Sequence, residues 1–481
     1  MLSVTQIFAK IPISWYHELM INSTQDNLFY RNKYAEFVFE SYDIKFEPNA
    51  LTVTYTYTLG EHTFTPTVHI PMTDIRNDEI DENFLDYLFF NFGIINAINY
   101  YKLTVAPKFV IKAGYLDDSQ KNFFKKLFYN GLGEFLYVNN LLFDLTNLME
   151  IETAAKATDA DEQPAYELGD GYTGNLIPVG GGKDSVVTLE ALRSFHDDNL
   201  CLQYNRNIYP TNRAALDCIK NAGYGADKIA DFDLTLDPHM LELNQAGYYN
   251  GHIPFSSCLA FAAYIMAYLN KKAYIVLSNE ASANEGNIAG TGINHQYSKS
   301  FEFENDFRNY ASHYFTDKIQ YFSLLRCLNE YQIVQRFLHY PIYLYLFRSC
   351  NVGTHENKWC SHCAKCLYVF IMLYPFVTLE KLIKIFGRDL LDDQTLFNTF
   401  VGLINPDETK PFECVGTREE INYCLTLAII EAEQDNEVQL PTLLQWYKAN
   451  FYNPNVAYNV KNYYNPQHHI PEQYLPLIMN A

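Results

Sequence analysis

Residues 176–192 constrain this chain more than any other stretch. An apolar run, Leu176-Ile177-Pro178-Val179, ends in Gly180-Gly181-Gly182. It passes through Lys183-Asp184-Ser185 and continues as Val186-Val187-Thr188-Leu189-Glu190-Ala191-Leu192. The pattern predicts a buried strand, a tight turn and the first turn of a helix. Glycines let the backbone approach a bound group with no side chain in the way. The unpaired amides at a helix start, aided by the helix dipole, favour phosphate. The turn is therefore suited to the phosphates of a nucleotide. It is not a Walker loop, because Asp184 follows Gly182-Lys183 and Ile177 stands where the first glycine belongs. It is not a Rossmann fingerprint either, since the third glycine or alanine is replaced by Ser185.

The turn instead resembles the Ser-Gly-Gly-x-Asp-Ser signature of the PP-loop ATP pyrophosphatases. Gly180 replaces the first serine, and the other positions fit. The resemblance implies an adenine nucleotide alpha hydrolase-like core that cleaves ATP between its α- and β-phosphates, giving AMP and pyrophosphate.

The 481 residues exceed one ordinary domain. A formal net charge of −21 sets an overall field that repels nucleic acid, so no nucleic-acid partner is expected. The aromatics, 39 Tyr and 34 Phe, read as extra core. Residues 1–21 carry Lys10, His17 and Glu18 among their apolar residues, which excludes a signal peptide, and no apolar stretch has the length of a spanning helix. A soluble, cytoplasmic protein with no membrane partner is expected.

Alternating apolar and polar residues predict antiparallel strands at 36–40, 51–57 and 63–68, with turns at Pro48-Asn49 and Gly60-Glu61. Helices over 81–101 and 119–129 and a strand at 109–111 complete an N-terminal α+β domain, residues 1–153. Residues 154–175 read as a linker. From 176 to 325, strands at 176–179, 200–204, 229–232 and 273–277 alternate with helices at 184–195, 213–222 and 256–269. That alternation predicts a doubly wound parallel sheet in an α/β domain. Residues 326–481 read as mostly helical.

Cys350, Cys360, Cys363 and Cys366 follow a C-x9-C-x2-C-x2-C pattern. Two C-x2-C steps bring thiolates together on a tight turn, and the fourth cysteine closes a tetrahedron suited to structural Zn²⁺. His355 and His362 are nearby substitutes for one ligand. The other six cysteines (Cys201, Cys218, Cys258, Cys327, Cys414, Cys424) sit in apolar contexts and read as buried hydrophobes. A cysteine site of this kind, C-terminal to a PP-loop, also resembles 7-cyano-7-deazaguanine synthase.

Three segments carry more polar residues than packing needs: 243–254, 278–283 and 294–304. The second directly follows a strand, and ligands in open α/β sheets bind beyond the carboxyl ends of strands. Several pieces together resemble the UDP-N-acetylmuramoyl-L-alanyl-L-glutamate epimerase (MurL) family: Asn99-Tyr100-Tyr101-Lys102, Gly131-Leu132-Gly133-Glu134-Phe135, the glycine turn, Asn250-Gly251-His252-Ile253-Pro254, Ser278-Asn279-Glu280-Ala281-Ser282-Ala283 and Asn294-His295-Gln296-Tyr297-Ser298-Lys299-Ser300. The resemblance implies an ATP- and Mg²⁺-dependent isomerase of peptidoglycan synthesis. Its substrate would be a UDP-MurNAc-dipeptide whose terminal L-Glu is inverted through an acyl-adenylate. Gly180, Gly181, Gly182 and Ser185 would then hold the pyrophosphate. Lys183 either neutralises charge there or points to solvent, and Asp184 binds Mg²⁺ or caps the helix. His252 and His295 are candidate proton carriers. Lys299 is an anchor or a second base, and Glu280 is a further candidate, for Mg²⁺. Another PP-loop ligase of the deazaguanine synthase type and a non-catalytic nucleotide-binding protein are the alternatives.

Overall fold

The computed structural model describes residues 27–72, 80–153, 166–288, 290–434, 439–455 and 458–479. The N-terminal 21 residues read against a signal peptide, and 154–165 of the expected linker, lie outside them. Among the described residues, no helix is long and apolar enough to cross a membrane.

One mixed sheet runs through the molecule. Its strands are β1 (Glu36–Glu47), β2 (Ala50–Leu59), β3 (His62–Phe64), β4 (Thr67–Pro71), β5 (Lys108–Ile111), β6 (Glu150–Thr153), β7 (Asn175–Pro178), β8 (Asn199–Tyr204), β9 (Ile229–Thr235), β10 (Tyr274–Leu277) and β11 (Gln320–Ser323). The spatial order is β11-β10-β7-β8-β9-β4-β2-β1-β5-β6, with β3 beside β2. From β11 to β9 every pairing is parallel. This half has the order of a doubly wound fold, with its switch point between β7 and β10, where such sheets form a ligand crevice. β4 pairs antiparallel with β9, Thr67 opposite Thr235, so the N-terminal strands continue the same sheet.

In the N-terminal half the helix expected over 81–101 is split into Glu82–Asn96 and Ile98–Tyr101. Pro66 splits the strand expected over 63–68 into β3 and β4, because proline offers no N–H to a ladder. β1, β2 and β4 pair antiparallel as the alternation predicts, and β5 and β6 add to β1 in parallel.

The helices that position the site are α1 (Glu82–Asn96), α2 (Asp118–Gly131), α3 (Gly133–Val138), α4 (Lys183–Ala191), α5 (Ala214–Asn221), α6 (Phe255–Leu269), α7 (Phe301–Tyr314), α8 (Glu330–Leu338), α9 (Ala364–Leu373) and α10 (Arg418–Ala432). Helix α4 ends at Ala191, and residues 193–198 continue as a 3₁₀ turn rather than as the expected α-helix. Helix α6 is apolar nearly all round and buried on almost every face. It lies between the parallel strands and α1, where Tyr268 meets Phe84 edge-on at 4.8 Å. The described end of the expected linker is laid down on this layer, with Tyr166 N–H donating to Phe315 O at 2.6 Å. On the opposite face α4, α5 and the C-terminal helices form a second core.

Candidate active site

The triglycine turn follows β7 at the switch point. Gly181 has φ +82°, and a Cβ there would meet Ala215 N at 2.5 Å, so only glycine fits. Gly180 faces open space. Its own N–H donates to Ser185 Oγ at 3.2 Å, whereas the amides of Gly181 and Gly182 have no partner among the described residues. Beside the turn is a cavity of about 250 Å³, lined by Gly180, Gln203, Tyr204, Arg206 and Asn212 among others. Tyr204 Oη and Asn212 Oδ1 are buried on its wall without a hydrogen-bond partner. A donor and an acceptor left open on the wall of a cavity beside the turn fit the polar edge of a heterocycle.

Lys183 does not reach solvent. Its side chain is 3% exposed and ion-pairs with Asp184 and Glu330. Asp184 makes no helix cap. Asp184, Glu280 and Glu330 bring one carboxylate oxygen each within 4.8 Å of one another. Burial, Glu330 and Asp184 push the Glu280 carboxyl up to about 7. Three crowded carboxylates against one ammonium form a donor set that fits Mg²⁺. Glu330 arrives from the start of α8, whose capping box at Asn329 and Gln332 fixes the turn. Its amide donates to Glu420 Oε1 at 2.6 Å.

A second cluster joins His252, His295 and Glu134, the last contributed by α3. His295 Nδ1 hydrogen-bonds Glu134 Oε2, His252 Nδ1 lies 3.7 Å from the same oxygen, and the ring centroids are 4.2 Å apart. Two bases flanking one carbon need about 6–7 Å between them, twice a near-attack distance. At 4.2 Å the two imidazoles are too close together to stand on opposite faces of one carbon. Burial opposes charge on His295, but hydrogen bonds with Cys414 and Glu134 outweigh it and raise the group to about 10. Burial, His295, Lys102 and Lys299 push His252 down to about 2, so it stays neutral.

Cys414 corrects the expectation of a buried hydrophobe. It is partly exposed, and Lys299 Nζ donates to its Sγ at 3.1 Å. Burial disfavours the thiolate, yet Lys299, His295 and Lys365 together hold the group well below the ordinary thiol range. Lys299 also feels Glu280 and Asp184, so it connects Cys414 to the carboxylates. Arg326, fully buried, fixes this link: it donates to Glu280 O and Lys299 O at 2.6 Å each and pairs with Glu304 at 3.0 Å. Of the other two polar segments, Asn279 turns away to Ser323 Oγ at 3.1 Å, and Asn250 accepts from Lys102 Nζ at 3.3 Å.

Cys350, Cys360, Cys363 and Cys366 converge, with Sγ–Sγ separations of 3.9, 3.7 and 3.5 Å for 350–363, 360–366 and 363–366. A tetrahedron with metal–sulfur bonds of about 2.3 Å has edges of about 3.8 Å. The set therefore fits Zn²⁺. His355 and His362 stand outside it; His362 Nδ1 is instead 2.6 Å from Cys360 O. Just before the cluster, Arg348 N–H donates to Gly181 O at 2.9 Å, so the cysteine loop buttresses the glycine turn.

A doubly wound sheet with open amides at its switch point and a proton-handling cluster beside it defines an α/β protein with an enzyme-like site. Residues 28–324 match the MurL N-terminal domain, and residues 346–453 match the MurL C-terminal domain. The chain belongs to the MurL family. A UDP-N-acetyl-alpha-D-muramoyl-L-alanyl-L-glutamate epimerase of Xanthomonas oryzae pv. oryzae is 34% identical over 71% of this chain and 74% of its own length. Proteins of the same name from Micromonospora sp. and Salinispora tropica are each 32% identical, over 85% and 81% of this chain and 89% and 84% of their own lengths. No solved structure matches the chain.

Proposed function

We propose that this protein is an ATP-dependent epimerase that converts the terminal L-Glu of UDP-MurNAc-L-Ala-L-Glu to D-Glu, forming an acyl-adenylate and releasing AMP and pyrophosphate. The observation that carries this reading is the adjacency of two clusters. Lys299 sits between the carboxylates of the phosphate turn and the imidazoles and thiol that can handle a proton.

The Cα–H beside a carboxylate is a very poor acid, because its loss places a second negative charge next to the first. Adenylation removes the first charge, and the proton comes within reach of a positioned base. The free amides of Gly181 and Gly182, with Ser185, suit the pyrophosphate, and the cavity at Tyr204 and Asn212 suits the adenosine. Asp184, Glu280 and Glu330 would hold Mg²⁺, which supplies positive charge against the leaving pyrophosphate. Neutral His252 is suited to take the Cα proton, and the Lys299 ammonium is suited to return one. Lys102 is buried and, among the described residues, donates to carbonyl oxygens of Asn250 and Gly251, and it suits a substrate carboxylate. The four cysteines would hold Zn²⁺ as a structural brace.

The test is incubation with ATP, Mg²⁺ and UDP-MurNAc-L-Ala-L-Glu in D₂O. AMP, pyrophosphate and deuterium at the glutamate Cα are expected together. AMP formation that is blind to this substrate, or none at all, removes the reading.

A further inference from the structure

We infer that Cys414 is a covalent nucleophile, which takes the activated glutamyl group from AMP and holds it as a thioester while Cα is inverted. The inference rests on the epimerase reading and deepens it.

Glu134, His295 and Cys414 stand in the order of a nucleophilic triad. A carboxylate orients an imidazole through Nδ1, and that imidazole, with the Lys299 ammonium 3.1 Å from the sulfur, favours the thiolate of Cys414. The residues come from α3, from the loop before α7 and from the loop before α10, so packing rather than chain proximity brings them together. Lys299 Nζ is 3.1 Å from the sulfur and is tied, through its own carbonyl and Arg326, to the segment carrying Glu280. Lys299 and Arg326 therefore link the sulfur to the segment carrying Glu280, whose carboxylate groups with Asp184 of the glycine turn. Cys414 is partly exposed as a residue, whereas Cys201, Cys218, Cys258, Cys327 and Cys424 are buried.

The chemistry favours attack over proton abstraction. A thiolate stabilised by two cations and an imidazolium is a weak base for a carbon acid, yet it remains a competent nucleophile toward an acyl phosphate. Sulfur attacks the carboxyl carbon, the C–S bond forms, and the C–O bond to AMP breaks with its electron pair leaving on the phosphate. The thioester carbonyl then accepts the electron pair as the Cα–H bond breaks, and a proton returns to Cα on the opposite face. Water finally adds to the thioester carbon, and the C–S pair returns to sulfur, releasing carboxylate, thiolate and two protons. AMP thus leaves before inversion, and the site need not hold two nucleotides through the proton transfers.

Three measurements decide it. Acid-quenched wild-type protein in a single turnover should carry a hydroxylamine-labile adduct of the substrate acyl mass on the peptide containing Cys414. Cys414→Ser should carry a stable ester of the same mass. Cys414→Ala should keep substrate-dependent exchange of pyrophosphate into ATP, the half-reaction before thiol attack, while losing deuterium incorporation by on the order of 10³-fold. Deuterium incorporation by Cys414→Ala within tenfold of wild type, or D-Glu formed with neither adduct nor ester, overturns the thioester and leaves the epimerase standing. No pyrophosphate release by wild type removes both.

Discussion

A thiolate at Cys414 is a property of its neighbours and can be read without substrate. The groups facing it are Lys299 and His295 from the 294–300 loop and Lys365 from α9, with the acidic Glu413 beside it. Alkylation of the Cys414 peptide by iodoacetamide should therefore proceed at pH 6 nearly as fast as at pH 8. Lys299→Met should restore a steep rise toward an ordinary thiol titration near about 8.5. A wild-type profile with that ordinary midpoint ends the thiolate assignment. The same pair sets a stability signature. The raised His295 contributes stability that is complete below about pH 6.5 and lost as pH rises toward 10. The depressed Cys414 contributes stability that is complete above about pH 9 and lost as pH falls. The two slopes oppose one another between these values, so the denaturant midpoint should be flat there in wild type and fall with rising pH in Cys414→Ala. Arg326 makes a sharper demand. Replacement by Met leaves Glu304 buried without its partner and frees two carbonyls, a loss of about 3–5 kcal/mol measured by denaturant titration. Arg326→Lys, unable to span Glu280 O, Lys299 O and Glu304 at once, should lose kcat more than KM. The glycine turn and the four cysteines are legible in sequence because each is contiguous, and spacing alone predicts proximity. Glu134, Glu330, Arg326 and Cys414 are not, because they enter from segments outside those motifs and none is marked as a site by its own neighbours. Cys414, between Glu413 and Val415, carries no local mark of its cations.

At the level of elements, the segment Arg348–Cys350 joins two features that sequence separates by more than 160 residues. Arg348 N–H holds Gly181 O, and Cys350 Sγ accepts from Gly353 N–H at 3.1 Å within the cysteine cluster. Order in the cysteine loop is therefore order in the glycine turn. Cys363→Ser should bring zinc below one per chain by elemental analysis, lower Tm, and weaken ATP binding by roughly tenfold, about 1.4 kcal/mol. A metal-free protein with wild-type Tm and ATP affinity defeats this coupling. The parallel strands β7, β8, β9 and β10 and helices α5 and α6 fall within a residue or a few of where periodicity puts them, because buried runs bounded by turns are strong local signals. β6 and β11 escape such reading. Each is four residues long and paired only on one side by a short parallel neighbour, so tertiary pairing makes the strand.

For the whole molecule, the N-terminal half is structurally continuous with the parallel half. β4 closes the edge of β9, with Val68 opposite Leu234 and His69 opposite Asp233. Helix α6 is covered by rings from both sides: Phe261 stacks on Phe124 at 5.9 Å, and Tyr268 meets Phe84. Glu134 and Lys102, both facing the histidines, also come from this half. A fragment of residues 166–481 would expose the backbone edge of β9 and the apolar flank of α6, a combination that recruits other chains. It should be recovered aggregated or bind a hydrophobic dye strongly, and adding residues 27–153 during refolding should restore a soluble complex with deuterium exchange. A monomeric 166–481 fragment with wild-type Tm and low dye binding would show instead that the sheet is two independent units laid edge to edge.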